Sequence, residues 1–354
     1  MIKDWKHLFE FKKTDVLGLD IGSCAVKMVA LRKNDTGYTT TAAGITEIAA
    51  SEDDNQRRTN TIRAIRKCFE SARIKTKLAV CGVNGQEVAV RDFEFPSLLP
   101  EEIAAAISLE ASQVCPFSAE DSAVDYHLMP KDDDDNETSG VLVAATNTLI
   151  KSKTQLAKEA RLNCILMDVD GLALLNCYNG LEDGQEDSQT NRTIAILNVG
   201  GSYTTLAIMD NDGRPFIRDM TYSGNDIMAQ IAAENNTSME TVGGILSGDP
   251  ATIEPGFHDS LEKACQKLIA DVTETLRYYT AQSSSSNVEK ILVSGGFALV
   301  GGFVELLNRR LGAEAVLWNP FDKIPCDGNR QCEDILSKAG PAMAVAAGLA
   351  MRTI

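Results

Sequence analysis

Histidine is scarce in this sequence, and its cysteines follow no metal-binding or disulfide pattern. The 354 residues include only three His, which are isolated from one another, and nine Cys, which are odd in number and contain no CxxC pair. A zinc site or a His-based metal centre needs such ligands at close and regular spacing. A disulfide framework is equally disfavoured, and scattered free cysteines are typical of a reducing cytoplasm.

Long apolar runs and an excess of basic residues are also absent. No apolar run approaches the roughly 18 residues that a membrane-spanning helix needs, and the first 15 residues do not have the pattern of a secretory signal. Lys and Arg number 34 against 50 Asp and Glu, which gives a net charge of -16. Such an acidic surface repels phosphate backbones and anionic lipids. We therefore expect no nucleic-acid binding and no direct membrane insertion.

The length of the chain is sufficient for two domains or for one large two-lobed domain. A repeated pattern supports two lobes, since residues 16–33 read VLGLDIGSCAVKMVALRK and residues 194–210 read IAILNVGGSYTTLAIMD. Each stretch contains an apolar strand, a small turn with glycine and a second alternating strand. The sequence therefore predicts two related β-hairpins about half a chain apart.

The first hairpin contains the residue types of a phosphate-binding turn. Asp20 ends the first strand, and Gly22, Ser23 and Cys24 form a turn of small residues whose backbone N–H groups a phosphate can approach. Lys27 follows and would supply positive charge, while Asp20 would face a hydrated Mg²⁺. For a single DxGS motif, an ordinary hairpin turn is the simpler interpretation.

The second hairpin repeats this arrangement with Asn198 in the position of Asp20. The residues that follow are Gly200, Gly201, Ser202 and Thr204. Farther along, Gly295 and Gly296 end a strand before a helix, where a nucleotide base or an α-phosphate can lie against bare backbone. Each motif alone is common in α/β proteins, but three of them in this order are much less easily produced by chance. Together they predict a nucleotide site.

Four stretches of the sequence resemble a known family. They read GLDIGSCAVKMVAL, RDFEFPSLLPEEIAAAISLEASQVCPFSAEDSAVDYHL, LNVGGSYTTLAIMDNDGRPFIRDMTYSG and ILVSGGFALVGGFVELLNRRLG. Their order resembles the superfamily of actin, heat-shock protein seventy and the sugar kinases, and within it the PilM family of type IV pilus assembly proteins, relatives of the cell-division protein FtsA. The resemblance implies an α/β protein with the actin-like ATPase-domain fold, in which two related lobes carry an inserted FtsA-type 1C-like module.

On this fold we predict a short tail, a first lobe in two pieces, the inserted module and a second lobe. The ranges are 1–15 for the tail, 16–85 and 166–190 for the 1A-like first lobe, 86–165 for the module, and 191–354 for the 2A/2B-like second lobe. Within the second lobe, the 2B-like part is expected at about 224–285. The polar segment 181–191 is the predicted linker between the lobes.

The resemblance also implies a nucleotide site and a set of partners. ATP or ADP with Mg²⁺ would lie in the cleft between the lobes, held by the residues of the three motifs, and Asp20 and Asn198 would hold the metal ion through water. A groove beside the module would take the N-terminal cytoplasmic tail of a PilN-like inner-membrane protein as an extended peptide and link that protein to the pilus motor. The protein would be cytoplasmic and peripheral to the inner membrane, and a homo-oligomer is allowed.

Two departures from the family pattern affect the expected chemistry. The second phosphate turn normally begins with Asp, and Asn198 removes that carboxylate. Relatives also carry a Glu and a Lys one helical turn apart after the helix that follows the second hairpin, whereas residues 239–248 read METVGGILSG and lack this Lys. We therefore expect weak ATP hydrolysis at most and assign no catalytic residue. A sugar-type kinase and an FtsA-like filament-forming protein on the same fold are the alternatives.

Asp168 and Asp170 precede a predicted helix near the connection between the lobes, in the stretch MDVDGLALLN. They would either order water near a terminal phosphate or cap the helix, and capping is the more common arrangement and our expectation. The N-terminal tail contains Trp5 and Phe9 among basic residues. For so short a terminus we expect packing on the protein or disorder rather than contact with a membrane surface.

Overall fold

A computed structural model of the protein describes residues 16–34, 37–129, 137–182, 193–210, 213–248, 255–282 and 287–352. The predicted N-terminal tail and residues 183–191 of the predicted linker lie outside these ranges. Within them, none of the helices combines the length and the apolar composition that crossing a membrane requires.

The first sheet is built around the first hairpin. Its strands are β1 (Leu17–Ile21), β2 (Ala25–Asn34), β3 (Gly37–Glu47), β4 (Leu78–Val83) and β8 (Asn163–Val169). They lie in the order β3-β2-β1-β4-β8, with β2 antiparallel to both β3 and β1, and β4 parallel to both β1 and β8. All five residues of β1 are buried because it is a central strand with helices on both faces, which explains its unbroken apolar sequence.

The second sheet repeats the first strand for strand. Its strands are β9 (Thr193–Val199), β10 (Thr204–Met209), β11 (Pro215–Met220), β12 (Val288–Ser294) and β13 (Glu314–Leu317). They lie in the order β11-β10-β9-β12-β13, again with an antiparallel hairpin followed by two parallel pairings. The two related hairpins predicted from the sequence are therefore equivalent parts of two sheets with one topology.

The helices complete the layers around these sheets. On the first sheet, α1 (Asp54–Ser71) and α3 (Asn147–Glu159) pack side by side, and α9 (Arg330–Ala339) packs against β3. The second sheet carries α5 (Gly224–Glu234), α6 (Met239–Leu246), α7 (Pro255–Gln282) and α8 (Phe303–Arg310). Short 3-10 turns occur at Gly296–Leu299, Pro320–Asp322 and Gly340–Met343.

Two helices, α4 (Asp170–Glu182) and α10 (Ala344–Ala350), join the two lobes. They contact each other, and they form one apolar cluster with side chains from β4, β9, β10 and β12. Small residues make the approach of α10 possible, since a Cβ atom at Gly348 would lie 1.8 Å from the carbonyl oxygen of Ala173, and one at Gly18 would lie 2.0 Å from that of Ala346. The Ala/Gly-rich end of the sequence is thus explained by close packing between backbones.

The inserted module is a three-stranded antiparallel sheet with one helix. It consists of β5 (Val88–Pro96), α2 (Pro100–Val114), β6 (Ser122–Leu128) and β7 (Glu137–Thr146), and its strand order is β5-β7-β6. On α2, Ile103 and Ile107 are buried against Phe93 and Leu142 of the sheet. The predicted range 86–165 extends too far, because α3 and the first residues of β8 pack with the first sheet.

Candidate nucleotide site

The first glycine hairpin joins β1 to β2 through residues 22–24. Its turn is closed by a hydrogen bond of 3.1 Å from the Gly22 N–H to the carbonyl oxygen of Ala25. Asp20 and Lys27 are opposite each other in the antiparallel register, and Lys27 Nζ donates to Asp20 Oδ2 at 2.8 Å. Burial alone would lower the pKa of Lys27, but the charge and the hydrogen bond of Asp20 outweigh it and raise the pKa. Lys27 is therefore a partly buried cation at neutral pH.

The second hairpin has the same backbone geometry but no ion pair. Residues 200–203 form its turn, in which the Gly200 N–H donates to the carbonyl oxygen of residue 203 at 3.0 Å. Asn198 is opposite Thr205, just as Asp20 is opposite a lysine in the first hairpin. Asn198 Oδ1 lies 3.5 Å from Ser294 Oγ, at the outer limit of a hydrogen bond. The amide at 198 is therefore held only weakly by the protein.

The turns of the two hairpins contact each other across the lobes. A Cβ atom at Gly201 would lie 2.6 Å from both Ser23 Oγ and Cys24 Sγ, so a larger residue at this position would require these two exposed side chains to move. Cys24 Sγ also lies 3.4 Å from Oδ1 of Asn225 in the first turn of α5. The structure thus brings together turn residues that are about half a chain apart in the sequence.

The third glycine motif follows β12, and its two glycines have different surroundings. Gly295 has a φ of +93°, and a Cβ atom there would lie 2.3 Å from the carbonyl oxygen of Val199. Its N–H donates to the carbonyl oxygen of Pro341 at 3.0 Å. Gly296 has open space where a Cβ atom would be, with no atom within 4 Å. Gly295 is therefore required by packing, and Gly296 is the position that leaves bare backbone for a ligand.

A buried carboxylate at the start of α4 lies close to the first hairpin. Asp170 is 5% exposed, and its Oδ2 accepts a hydrogen bond of 2.7 Å from Asn84 Nδ2. Among the described residues, its Oδ1 has no hydrogen-bond partner. A Cβ atom at Gly82 would lie 2.1 Å from this oxygen. Burial, followed by the negative charge of Asp20, raises the pKa of Asp170 to about 8.

Asp219 on β11 links the second sheet to the first lobe. Its Oδ1 accepts a hydrogen bond of 2.5 Å from the Thr205 hydroxyl, and its Oδ2 accepts one of 2.7 Å from the N–H of Gly85. Gly85 has a φ of +96°, and the ring of Tyr203 packs over it. Burial raises the pKa of Asp219, although these two hydrogen bonds act in the opposite direction. The turn after β4 is thus fixed to the second hairpin.

A second lysine approaches the first hairpin from α3. Lys153 Nζ donates to the carbonyl oxygen of Ile21 at 2.7 Å, and its charge opposes the rise in the pKa of Asp170. The cleft side of the first lobe therefore has two lysines, Lys27 and Lys153, whose charges act on the carboxylates of Asp20 and Asp170. Sequence reasoning did not find Lys153 or Asp219, because a lysine on an amphipathic helix and an acid on an edge strand are ordinary surface residues by their pattern.

Known proteins share sequence features and the fold of this chain. Residues 18–354 match the family model described as type IV pilus assembly protein PilM. This chain belongs to the PilM family. A solved PilM-PilN type IV pilus biogenesis complex is 22% identical to it, with a TM-score of 0.79 over 96% of this chain and 98% of that one.

More distant structures share the fold of this PilM-family chain. The ethanolamine utilization protein EutJ from Carboxydothermus hydrogenoformans is 12% identical, with a TM-score of 0.54 over 96% of this chain and 89% of that one. Diol dehydratase-reactivating factor in its nucleotide-free form is 10% identical, with a TM-score of 0.53 over 95% of this chain and 99% of that one. The chain has the actin-like ATPase fold, and the family and fold expected from the sequence are confirmed.

The backbone of the two turns in this PilM-family chain suits a phosphate group. The N–H groups of Gly22 and Gly200 are used to close the turns. Those of Ser23, Cys24, Gly201 and Ser202 donate to no protein acceptor in the part of the chain that the structure describes. Free backbone N–H donors beside a lysine are groups that hold an anion in proteins. The residues present therefore fit the phosphates of a nucleotide.

The predicted metal ligands fit a cation only through water and phosphate. In the described ranges, no three His, Cys, Asp or Glu side chains come together as a metal site. Asp20 is bonded to Lys27, and Asn198 brings an uncharged oxygen. Mg²⁺ keeps several of its waters and binds nucleotide phosphates in such sites. Asp20 and Asn198 would therefore hold the waters of an ion that comes with the nucleotide.

The expected helix caps at Asp168 and Asp170 are wrong. Arg352 forms two hydrogen bonds to the carboxylate of Asp168, from Nε at 2.5 Å and Nη2 at 2.9 Å, and this ties the end of the chain to β8. Asp170 contacts Asn84 instead of the backbone of its own helix. Both carboxylates therefore serve contacts between distant segments, which a local capping rule does not predict.

Proposed function

We propose that this chain is a nucleotide-binding adaptor of type IV pilus assembly. It holds Mg·ATP or Mg·ADP between its two hairpins and binds the N-terminal cytoplasmic tail of a PilN-like inner-membrane protein beside the inserted module. Through that tail it is peripheral to the inner membrane and linked to the pilus motor. Membership of the PilM family and the similarity over 96% of the chain to a PilM-PilN complex support the pilus context and the partner. The observation that most directly supports nucleotide binding is the contact between the two turns.

In this proposal the residues of the cleft have separate tasks. The free N–H groups of residues 23–24 and 201–202 bind phosphate oxygens, one pair from each lobe. Lys27 supplies partly buried positive charge beside the first turn, and Gly296 leaves room for the adenosine. A bound nucleotide would supply negative charge that contacts both turns, so that its presence favours the contact between them.

Replacing Lys27 by Ala tests the nucleotide site. Calorimetric titration with Mg·ATP should show at least a tenfold loss of affinity, because a charge-assisted contact with phosphate is worth more than about 1.4 kcal/mol. Lys33→Ala is a matched control on the same strand, since Lys33 is exposed and lies over the ring of Tyr38, 5.3 Å from its centroid. Equal affinities for the two variants, with both folded by circular dichroism, would remove Lys27 from the site.

A cleft beside the module is our candidate for the partner's tail. It has a volume of about 770 Å³ and lies between β5, β11 and the end of α7. Part of its lining is apolar, and part is charged. The apolar residues are Val88, Val90, Val169, Phe216 and Ile217, and the charged ones are Arg91, Asp92, Arg218 and Asp219. Because β5 is an edge strand of the module, an extended peptide can pair with its backbone and place alternate side chains in the cleft.

Two variants in the sheet of the module show whether the peptide binds in this cleft or at the opposite edge of the module. The probe is a fluorescent synthetic peptide with the N-terminal sequence of the PilN-like protein, and binding is followed by anisotropy. Val88→Arg introduces a charge into the cleft and should abolish binding. Leu128→Arg on the other edge strand, β6, changes a side chain that is already 39% exposed and should leave binding unchanged. The reverse result would move the groove to β6, and loss in neither variant would place it outside the module.

A further inference from the structure

Two cysteine thiols lie in contact at the start of α9. Cys326 Sγ and Cys332 Sγ are 3.3 Å apart, and both side chains are free thiols. A disulfide bond has an S–S length of about 2.05 Å, so the two sulfur atoms need to approach by little more than one ångström. The two positions are separated by five residues, and the contact is therefore a property of one short loop.

The loop is shaped so that the two thiols meet. Gly328 N–H donates to Cys326 Sγ at 3.4 Å, and a Cβ atom at this glycine would lie 2.8 Å from Cys332 Cβ and 2.9 Å from Cys332 Sγ. Asn329 caps α9 by accepting the N–H of Cys332 at 2.9 Å. The glycine thus leaves space over the pair, and the cap fixes the backbone of the second cysteine.

The two thiols differ in their access to solvent. Cys332 is 4% exposed, and burial raises its pKa to about 12, so that it remains protonated and unreactive towards small oxidants in solution. Cys326 is only partly buried. A reagent in solution can therefore reach the first thiol and not the second, which is the arrangement of an attacking cysteine and a resolving cysteine.

We propose that Cys326 and Cys332 are a redox modification site that forms a reversible intramolecular disulfide with low-molecular-weight disulfides. In the first step the thiolate of Cys326 attacks one sulfur of the small disulfide, forms a mixed disulfide and releases one small thiolate, which takes up a proton. In the second step Cys332 loses its proton to solvent and attacks Cys326 Sγ, which releases the second small thiol. Two protein thiols are oxidised, and one small disulfide is reduced to two thiols.

The new bond would strengthen the attachment of this loop to the first sheet. Thr40 on β3 donates its N–H to the carbonyl oxygen of Pro325 and accepts the N–H of Asp327, both at 2.8 Å. A disulfide between the flanking cysteines restricts the opening of this segment. Hydrogen exchange at Thr40 and Asp327 should therefore slow by roughly 10- to 50-fold in the oxidised protein, a range set by the entropy of closing a short loop.

The test uses the full chain incubated with oxidised glutathione. Remaining thiols are blocked with N-ethylmaleimide, and the unreduced digest is mapped by mass spectrometry. We expect a cross-linked peptide that joins Cys326 to Cys332 and carries no glutathione. Cys24 is an internal control, because it is exposed and its neighbour is an asparagine, so it should retain a glutathione adduct. Dithiothreitol should restore both thiols of the pair.

Substitution of the buried cysteine separates the two steps. In Cys332→Ser the mixed disulfide at Cys326 cannot be resolved, and the glutathione adduct should persist there. The proposal is overturned if wild-type protein keeps a glutathione adduct on Cys326, or if both cysteines of the pair remain free while Cys24 reacts. These outcomes are read from wild-type protein and do not depend on the folding of the variant.

Discussion

Replacement of Asp170 by Asn should stabilise the nucleotide-free protein at neutral pH. Asp170 is 5% exposed, and its Oδ1 has no partner among the described residues. Burial and the charges of Asp20 and Asp219 raise its pKa from 3.8 to about 8, while Lys153 and Lys27 act in the other direction. The folded protein therefore keeps a proton on this carboxyl group that the unfolded chain releases.

The difference in the pKa of Asp170 between the folded and the unfolded state determines how stability changes with pH. Because the folded pKa is the higher one, the contribution of Asp170 to stability is complete below about pH 4 and is lost progressively as the pH rises towards 8. Each unit of pKa difference corresponds to about 1.4 kcal/mol. Between pH 5 and pH 7 the wild-type protein should therefore lose about 2 to 3 kcal/mol through this group. Asn does not titrate, so Asp170→Asn should lack this loss.

Urea denaturation at pH 5 and pH 7, with EDTA and without nucleotide, measures the two free energies of unfolding. Asp168→Asn is the matched control two residues away, since it removes the negative charge and one of the two acceptors that bind Arg352, and it should lower stability by about 1 to 3 kcal/mol at both pH values. Parallel changes with pH in wild type and in Asp170→Asn would refute the reasoning, because the carboxyl group would then have its ordinary pKa in the folded protein.

Two further changes test packing and metal binding. Gly348→Ala would place a methyl group 1.8 Å from the carbonyl oxygen of Ala173. It should lower the free energy of unfolding by about 1 to 3 kcal/mol, which is measured as a lower melting temperature. Gly312→Ala is the control, because a methyl group there meets open space and should leave the melting temperature nearly unchanged. Asn198→Asp should tighten Mg·ATP about tenfold in calorimetry if the missing carboxylate limits metal binding, and an unchanged affinity would show that the amide is sufficient.

The hairpins were predictable because their signals are local. The turn at Gly22, the apolar run of β1 and the alternation of β2 lie within twenty residues, and the same holds for the second hairpin. The equivalence of the two sheets follows from this repeat. Local patterns did not assign α3 to a sheet, because an amphipathic helix indicates that one face is buried without indicating what covers it. The module was therefore predicted to extend to residue 165.

The contacts that organise the cleft were not predictable in this way. Asp168 and Arg352 are separated by 184 residues, and Asp219 and Gly85 by 134. A carboxylate has the same local pattern whether it caps a helix or meets an arginine from the end of the chain. The capping rule uses only neighbouring residues, and here the tertiary contact is the stronger interaction, because it joins two charged groups in a partly buried place.

The glycines of the three motifs show why a motif match alone does not identify ligand contacts. A Cβ atom at Gly201 would displace the side chains of the opposite turn, and a Cβ atom at Gly295 would lie 2.3 Å from the carbonyl oxygen of Val199. Gly296 meets no protein atom within 4 Å. Substitution at the first two positions disturbs the protein whether or not nucleotide binds there. Loss of nucleotide binding in such variants therefore says little about contact with the ligand, whereas a loss caused by a side chain at 296 would report on the space that the ligand occupies.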